Sequence, residues 1–374
     1  MATMRSLPHS EASWNEWAAV CKVSKSSIHD STLTSGSTIR HEQFLLLQVL
    51  WRPPSTAPLN LKAFGLEEWK QKADKLLSTF QSWAKYRQSF TTGSILEGTF
   101  ALAKQYQSEA AGALEEDFRS DVAFTPVAHR TRSNVSRLER KMREAQLQTP
   151  TKSTGILPKT PEENEIAENS EETETPFRSP GPTEITNTMY PQTKDEQIVN
   201  TALVDFLNAL SVHFPEASGW TLHRKSFKAE FKNGSYEART DGYLKGGSAG
   251  RARALIEVKP MLREKKRIPI CMQEAAQMVA WIKSDPDPTG VLNLPGRRLH
   301  VSQDRHLIYL IFAEYDGNYI QYLNNSLPPG SPRPFLKMHE FGPWNTLSRS
   351  DMENLGGILL AIALRAYAEA KSSS

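Results

Sequence analysis

Cysteine is scarce in this sequence. The 374 residues include two cysteines, Cys21 and Cys271, which lie far apart and form no CxxC pair. This usage excludes a disulfide-rich scaffold and provides no spacing typical of a zinc site. We therefore expect a protein of a reducing, intracellular compartment.

Long apolar segments are also missing. The longest run, Phe44–Trp51, is interrupted by Gln48 and is far shorter than the roughly 20 residues that cross a bilayer. The N-terminal stretch MATMRSLPHSEASW has no apolar core of the kind that a signal peptide needs. We expect no signal peptide, no transmembrane segment and no membrane partner, and a location in the nucleus or the cytoplasm.

The overall charge is small. A formal net charge of +3 does not by itself indicate a polyanionic partner, because whole-chain charge governs solubility and encounter rates. The content of 39% hydrophobic and 9% aromatic residues is enough for at least one buried core. Predictions about partners therefore have to come from local clusters of residues.

Residues 1–146 are predicted to form a mostly helical N-terminal region. Apolar residues recur at helical spacing across 66–87, which predicts a long amphipathic helix. Weaker helical patterns cover 11–22, 41–51 and 94–118. The region has no motif that indicates a particular chemistry.

Two polar stretches follow. Residues 130–143 contain six arginines or lysines, which indicate a nuclear-import or phosphate-binding segment or, alternatively, a solvated helix face.

Residues 147–193 are rich in Pro, Thr, Ser and Glu. This composition predicts a disordered linker, because it buries too little apolar surface to offset chain entropy. Four linker residues precede proline and are candidate sites for a proline-directed kinase, unless they occur there by chance: Thr149, Thr160, Thr175 and Ser179.

Residues 194–372 are predicted to form a second domain. Its apolar patterns indicate, in chain order, a helix at 195–214, strands at 222–231, 236–244 and 252–259, a helix at 269–283, strands at 305–315 and 318–323, and a helix at 349–370. This order predicts an α/β (α+β) fold, with a mixed central sheet flanked by helices.

Charged side chains meet on the third predicted strand. Because strand side chains alternate between faces, Glu257 and Lys259 share one face. If the preceding hairpin is symmetric about Ala249, Asp241 lies opposite Glu257, about 5 Å away. Two close carboxylates repel unless a cation lies between them, and oxygen ligands favour Mg²⁺ or Mn²⁺ over Zn²⁺. Lys259 could then position or deprotonate an attacking water, or stabilise charge developing on phosphorus.

This arrangement of Asp241 with Glu257-Val258-Lys259 resembles the D…ExK core of the PD-(D/E)XK nuclease superfamily, and in particular the nuclease-like domains of uncharacterised fungal proteins. The likeness covers roughly residues 195–370. It implies a restriction-endonuclease-like core in which Asp241, Glu257 and the Val258 carbonyl bind the metal and Lys259 is catalytic. The implied function is a metal-dependent nuclease acting on DNA or RNA. The alternative is an inactive module of the same fold that binds nucleic acid or protein.

The sequence departs from the superfamily pattern at two places. Thr240 precedes the aspartate where many members have proline. The helix after the third strand offers Gln273, Gln277 and Trp281 on one face, which approximates the Gln…Tyr motif of some members. Gln273 is therefore a candidate catalytic residue, with ordinary helix packing as the alternative. Glu196 lies where some members have an extra acid, although helix capping explains it equally well.

Basic residues follow the third strand. Arg263, Lys265, Lys266 and Arg267, together with Arg239 on the second strand, are predicted to contact a nucleic-acid backbone, and such binding would depend on salt. The alternatives are a solvated basic loop and, for Arg239, an ion pair with a carboxylate. Likewise, Glu257 and Lys259 could form a surface ion pair, and Asp241 could be a turn residue.

Overall fold

The computed structural model describes residues 5–53, 58–112, 196–246, 250–287 and 289–372. All of these belong to one compact unit formed by Met1–Ala113 and Thr186–Ser374. A second unit, Leu114–Ile185, lies outside the described residues. So do the basic stretch 130–143 and the four candidate kinase sites of the predicted linker 147–193, and the predictions for them stay predictions.

The described residues contain nine β-strands: β1 Val49–Trp51, β2 Trp220–Thr221, β3 Ser226–Glu230, β4 Ser235–Arg239, β5 Gly242–Gly246, β6 Arg251–Lys259, β7 Leu299–Asp304, β8 Leu307–Glu314 and β9 Leu336–Asn345. Seven of them form a central sheet in the order β1-β9-β8-β7-β6-β5-β2, while β3 and β4 form a separate hairpin. The pairs β1–β9 and β6–β7 are parallel, and the other neighbours in the sheet are antiparallel. The sheet is therefore mixed.

The same residues contain nine α-helices: α1 Glu11–Val20, α2 His41–Leu46, α3 Glu67–Thr79, α4 Gln81–Thr92, α5 Ala101–Ala111, α6 Glu196–Ser211, α7 Arg267–Ser284, α8 Gly317–Leu323 and α9 Arg349–Ser372. Within these ranges, no helix is both long and apolar enough to cross a membrane.

The helices cover both faces of the central sheet and create two apolar cores. On one face, α3, α4, α5, α6 and α9 pack over Ile256 and Val258 of β6. On the other face, α1, α2, α7, α8 and the β3–β4 hairpin pack over Leu255 of the same strand. Glu257 shares the second face with Leu255, because side chains alternate along a strand. The predicted mixed α/β architecture is confirmed.

The described part of the N-terminal segment is mostly helical, as predicted, but it belongs to the same compact unit as the C-terminal half and contributes a strand to the central sheet. The predicted helix 41–51 ends at Leu46, and the residues after it form β1, which pairs with β9 in the register Val49↔Leu336. This pairing joins residues far apart in the chain, so the local apolar pattern could not reveal it. The helix predicted at 66–87 is also divided, because Phe80 between α3 and α4 is extended and packs against other aromatic rings.

Two strand predictions in the C-terminal half are wrong. The predicted strand 236–244 is divided between β4 and β5, which lie in different sheets on either side of Thr240 and Asp241. Asn318–Leu323 belongs to helix α8, because the side chain of Asp316 caps this helix by accepting a hydrogen bond from the Tyr319 N–H at 2.9 Å. The local cap outweighs the strand preference of the aromatic residues.

Two adjacent glycines in α9 test how the N-terminal helices pack. A Cβ on Gly356 would lie 2.5 Å from the ring of buried Trp83 on α4, whereas one on Gly357 would meet the flexible ends of Asp74 and Lys70. Either change to alanine should stabilise the helix by about 1 kcal/mol, because alanine has the higher helix propensity. Gly356→Ala also overpacks the core, which should lower the free energy of unfolding by about 1–3 kcal/mol. Urea unfolding should therefore show Gly356→Ala to be less stable than Gly357→Ala by about that amount. Equal stabilities would contradict this packing.

Candidate functional site

The register of the β5–β6 pair brings Asp241 to Glu257. Gly242 pairs with Ile256 and Tyr243 with Leu255, which is the register that symmetry about Ala249 predicts. Asp241 immediately precedes β5, and its backbone N–H donates to the Ile256 carbonyl at 3.0 Å. Its carboxylate turns towards β6 and accepts a hydrogen bond from the Val258 N–H at 3.1 Å. Asp241 is thus fixed against the residue that follows Glu257.

Glu257 is buried, with an exposed fraction of 1%. Its Oε1 accepts a hydrogen bond from Gln273 at 2.6 Å and also contacts the Lys259 ammonium. Its Oε2 accepts a hydrogen bond from Gln277 at 2.6 Å. Both glutamines lie on α7, which connects β6 to β7. The alternative of a surface ion pair is therefore wrong, because the carboxylate is enclosed by the helix that follows its strand.

Lys259 lies among several carboxylates. Its ammonium contacts Glu257 and lies 3.5 Å from Oε1 of Glu196, the first residue of α6. Asp241 is close enough to add to the favourable field at the ammonium. Asn200, one turn further along α6, donates to the Asp241 carbonyl at 3.3 Å. Helix α6 and strands β5 and β6 therefore converge on the same point, and Glu196 contacts the Lys259 ammonium.

The charges of this cluster shift one another's pKa values. Burial raises the pKa of Glu257 to about 8, and the neighbouring Lys259 ammonium opposes that shift. Burial also raises the pKa of Glu196, again opposed by Lys259. Desolvation would lower the pKa of Lys259, but Glu257, Glu196 and Asp241 outweigh it and raise the pKa above its usual value. Lys259 is therefore a cation at neutral pH.

The donor atoms at the site suit a hard divalent cation. Oδ1 of Asn200 and Oε1 of Gln277 are buried and accept no hydrogen bond, although each side chain donates to a residue of the cluster. Unpaired amide oxygens on two residues that contact Asp241 and Glu257 are, together with the carboxylates, the type of oxygen ligand that Mg²⁺ prefers. The side chain of Val258 is buried in the core, so its backbone is the part that can serve the site. In the described part of the chain, no three His, Cys, Asp or Glu residues are grouped as metal ligands.

Arg263 does not belong to a nucleic-acid surface. It is fully buried and donates to Glu274 at 3.0 Å, Glu340 at 3.1 Å and Ser302 at 2.9 Å. It also forms an ion pair with Asp304. The prediction that Arg263 contacts phosphate is wrong, because its guanidinium neutralises buried carboxylates from α7, β7 and β9.

The other four residues predicted to contact phosphate differ from Arg263 because none of them is fully buried. Lys266 is exposed and Lys265 is partly exposed. Arg267 donates to both carboxylate oxygens of Glu340 at 3.0 Å. Arg239 is exposed and pairs with Glu237 at 2.5 Å, which agrees with the alternative of an ion pair.

Two residues near the site were not predicted from the sequence. Arg224 lies between β2 and β3, with Nη2 3.5 Å from Oδ1 of Asp241, and Asn200 supports the backbone of the same residue. The sequence could have indicated Asn200 as a site residue, because it is a polar residue on the buried side of α6 next to Val199 and Leu203. Arg224 carried none, since a basic residue in a loop is ordinary.

Comparisons with known proteins were made for the whole chain. No family model, no curated protein and no solved structure matches it. The resemblance to the nuclease superfamily thus rests on the residues and on the order of the elements.

The raised pKa of Glu257 predicts that stability depends on pH. The folded chain holds this proton more tightly than the unfolded chain, whose carboxyl has the ordinary value of 4.5. The stabilising effect is therefore complete below the unfolded pKa and is lost as the pH rises through about 8. From this group, we expect the free energy of unfolding to fall by up to about 1.4 kcal/mol per pH unit over that range.

Urea unfolding at a series of pH values measures this effect. The fall should be smaller in Glu257→Gln than in the wild type, because the substituted side chain does not titrate. Glu68→Gln on the exposed side of α3 is the matched control and should keep the wild-type slope. Identical slopes in Glu257→Gln and the wild type would contradict the raised pKa.

Proposed function

We propose that this chain is a Mg²⁺- or Mn²⁺-dependent nuclease that hydrolyses phosphodiester bonds of DNA or RNA. The observation that carries the proposal is the meeting of Asp241, Glu257 and Lys259 at the junction of β5 and β6. When the separate β3–β4 hairpin is set aside, the elements α6, β2, β5, β6, α7 and β7 have the helix, three strands, helix, strand order that the D…ExK resemblance implies. We therefore assign this half of the chain to a PD-(D/E)XK-like core.

The metal would be held by the carboxylates of Asp241 and Glu257 and by the Val258 carbonyl. When bound, it would supply positive charge to the scissile phosphate and lower the pKa of a bound water. Gln273 and Gln277 act as positioning residues, because each donates to a different oxygen of Glu257. They fix the direction of the carboxylate before any ligand arrives.

Lys259 acts in this proposal as a cation. Its raised pKa disfavours proton abstraction at neutral pH, because a group that stays charged is a poor general base. A fixed ammonium instead stabilises the negative charge that develops on the phosphate oxygens during hydrolysis. Of the roles considered from the sequence, the electrostatic one has the better physical support.

Two substitutions test the catalytic assignment. Asp241→Asn keeps an oxygen that can accept the Val258 hydrogen bond but removes a charge, and Lys259→Gln removes the ammonium. Each should lower cleavage of single- and double-stranded oligonucleotides in Mg²⁺ or Mn²⁺ by at least about 10²-fold. Glu68→Gln should cleave like the wild type, and thermal unfolding should confirm that all three variants are folded. Cleavage that persists in both site variants would contradict the proposal and indicate another site or a contaminant.

A second candidate is a catalytically inactive module that binds nucleic acid. The specific observation in its favour is that Glu257 is already satisfied by Gln273, Gln277 and Lys259, so the carboxylate has partners without a metal. Calorimetric titration with Mg²⁺ and Mn²⁺ separates the two candidates. If the chain is a nuclease, it should bind a divalent ion, and Asp241→Asn should lower the affinity for that ion. Wild-type protein that binds oligonucleotides but neither binds the ions nor cleaves would support the inactive module.

A further inference from the structure

A cavity of about 500 Å³ lies where the N-terminal segment meets the turn between β6 and α7. Trp51, at the end of β1, forms part of its wall. Six basic or histidine side chains line it and come from two distant parts of the chain: Arg5, His9, Arg52, Lys265, Lys266 and Arg267. The predicted basic loop is therefore one side of a cavity whose other side was not apparent from the sequence.

The charge around this cavity is unbalanced. Five lysines and arginines line it, against one carboxylate, that of Glu264. Arg267 is neutralised by Glu340. Arg52 donates instead to the neutral carbonyl of His9 at 2.9 Å.

A helix end adds to this positive field. α7 begins at Arg267, and the side chain of its N-cap residue Lys266 forms no capping hydrogen bond. Unsatisfied N–H groups and the helix dipole place partial positive charge at such an end. The cavity therefore combines ammonium and guanidinium groups with a helix dipole, which is the chemistry that binds phosphate.

We propose that this cavity binds the phosphate backbone of the nucleic-acid strand that enters the Glu257 site, so this inference rests on the proposed function. Lys265 is six residues after Lys259 in the sequence, and an extended chain spans at most about 3.6 Å per residue. The two side-chain positions are thus within about 22 Å along the backbone, a length covered by roughly six nucleotides at 3.4 Å per step. One strand can reach both places.

Salt-dependent binding tests the proposal without cleavage. A fluorescent duplex oligonucleotide is titrated with the full chain in EDTA at several salt concentrations, and the dissociation constant is measured by anisotropy. The variant Arg52→Gln/Lys266→Gln removes two cations from opposite sides of the cavity. It should bind more weakly, and the slope of log K against log salt should become shallower by about 2, since each phosphate contact contributes roughly 0.9.

The matched control is Lys75→Gln/Lys85→Gln, which removes two exposed cations from α3 and α4. This control should keep the wild-type affinity and slope, and thermal unfolding should show both double variants to be folded. An unchanged slope in the cavity variant, or an equal loss in the control, would overturn the proposal. Polyglutamate that competes as well as the unlabelled oligonucleotide would also overturn it, because the cavity would then bind acidic polypeptides.

The outcomes separate this inference from the nuclease proposal. If the cavity variant loses binding in EDTA and the wild type never cleaves in Mg²⁺, the phosphate site stands and the catalytic assignment falls. If the wild type cleaves and the cavity variant binds normally, the catalytic assignment stands and the phosphate site falls.

Discussion

Burial of charge on one face of the central sheet is the constraint on which the rest of the structure depends. β6 and β7 place Glu257 beside Ser302 and Lys259 beside Asp304, in a layer that α7 covers. A buried charge is costly unless it is paired and hydrogen-bonded. Even a well-paired buried ion pair adds little net stability compared with apolar side chains of the same volume. This weak contribution to stability is one reason why we propose a chemical role for the Glu257 cluster.

A second buried cluster connects the site to the basic cavity. Arg263 joins the β6–α7 turn to Glu274, Asp304 and Glu340, and the indole N–H of Trp51 donates to Glu340 at 3.1 Å. The same carboxylate also binds Arg267. One buried network thus fixes the turn that carries Lys265 and Lys266 and the N-terminal segment that carries Arg52. The cavity is built from both parts because this network holds them together.

Local patterns in the sequence predicted the meeting of Asp241 with Glu257 and Lys259, because strand alternation and turn symmetry depend on nearby residues. They did not predict β7 and β9, because each strand begins with only two alternating apolar residues, Leu299 and Val301 or Leu336 and Met338, and its other buried positions include polar residues such as Ser302 and Glu340. The burial of Arg263 was also unpredictable, since its partners come from three elements far apart in sequence. The pairing of β1 with β9 could not be predicted for the same reason, because the two strands are far apart in the sequence. What the sequence could not supply was the set of long-range contacts that decide which charged residues are inside.

The most direct test of the central claim is an anomalous diffraction experiment on crystals of the chain grown with Mn²⁺. We expect an anomalous peak for a Mn²⁺ ion between the carboxylates of Asp241 and Glu257. If an oligonucleotide is cleaved at the same Mn²⁺ concentration while the map shows no peak between these two side chains, the account is contradicted.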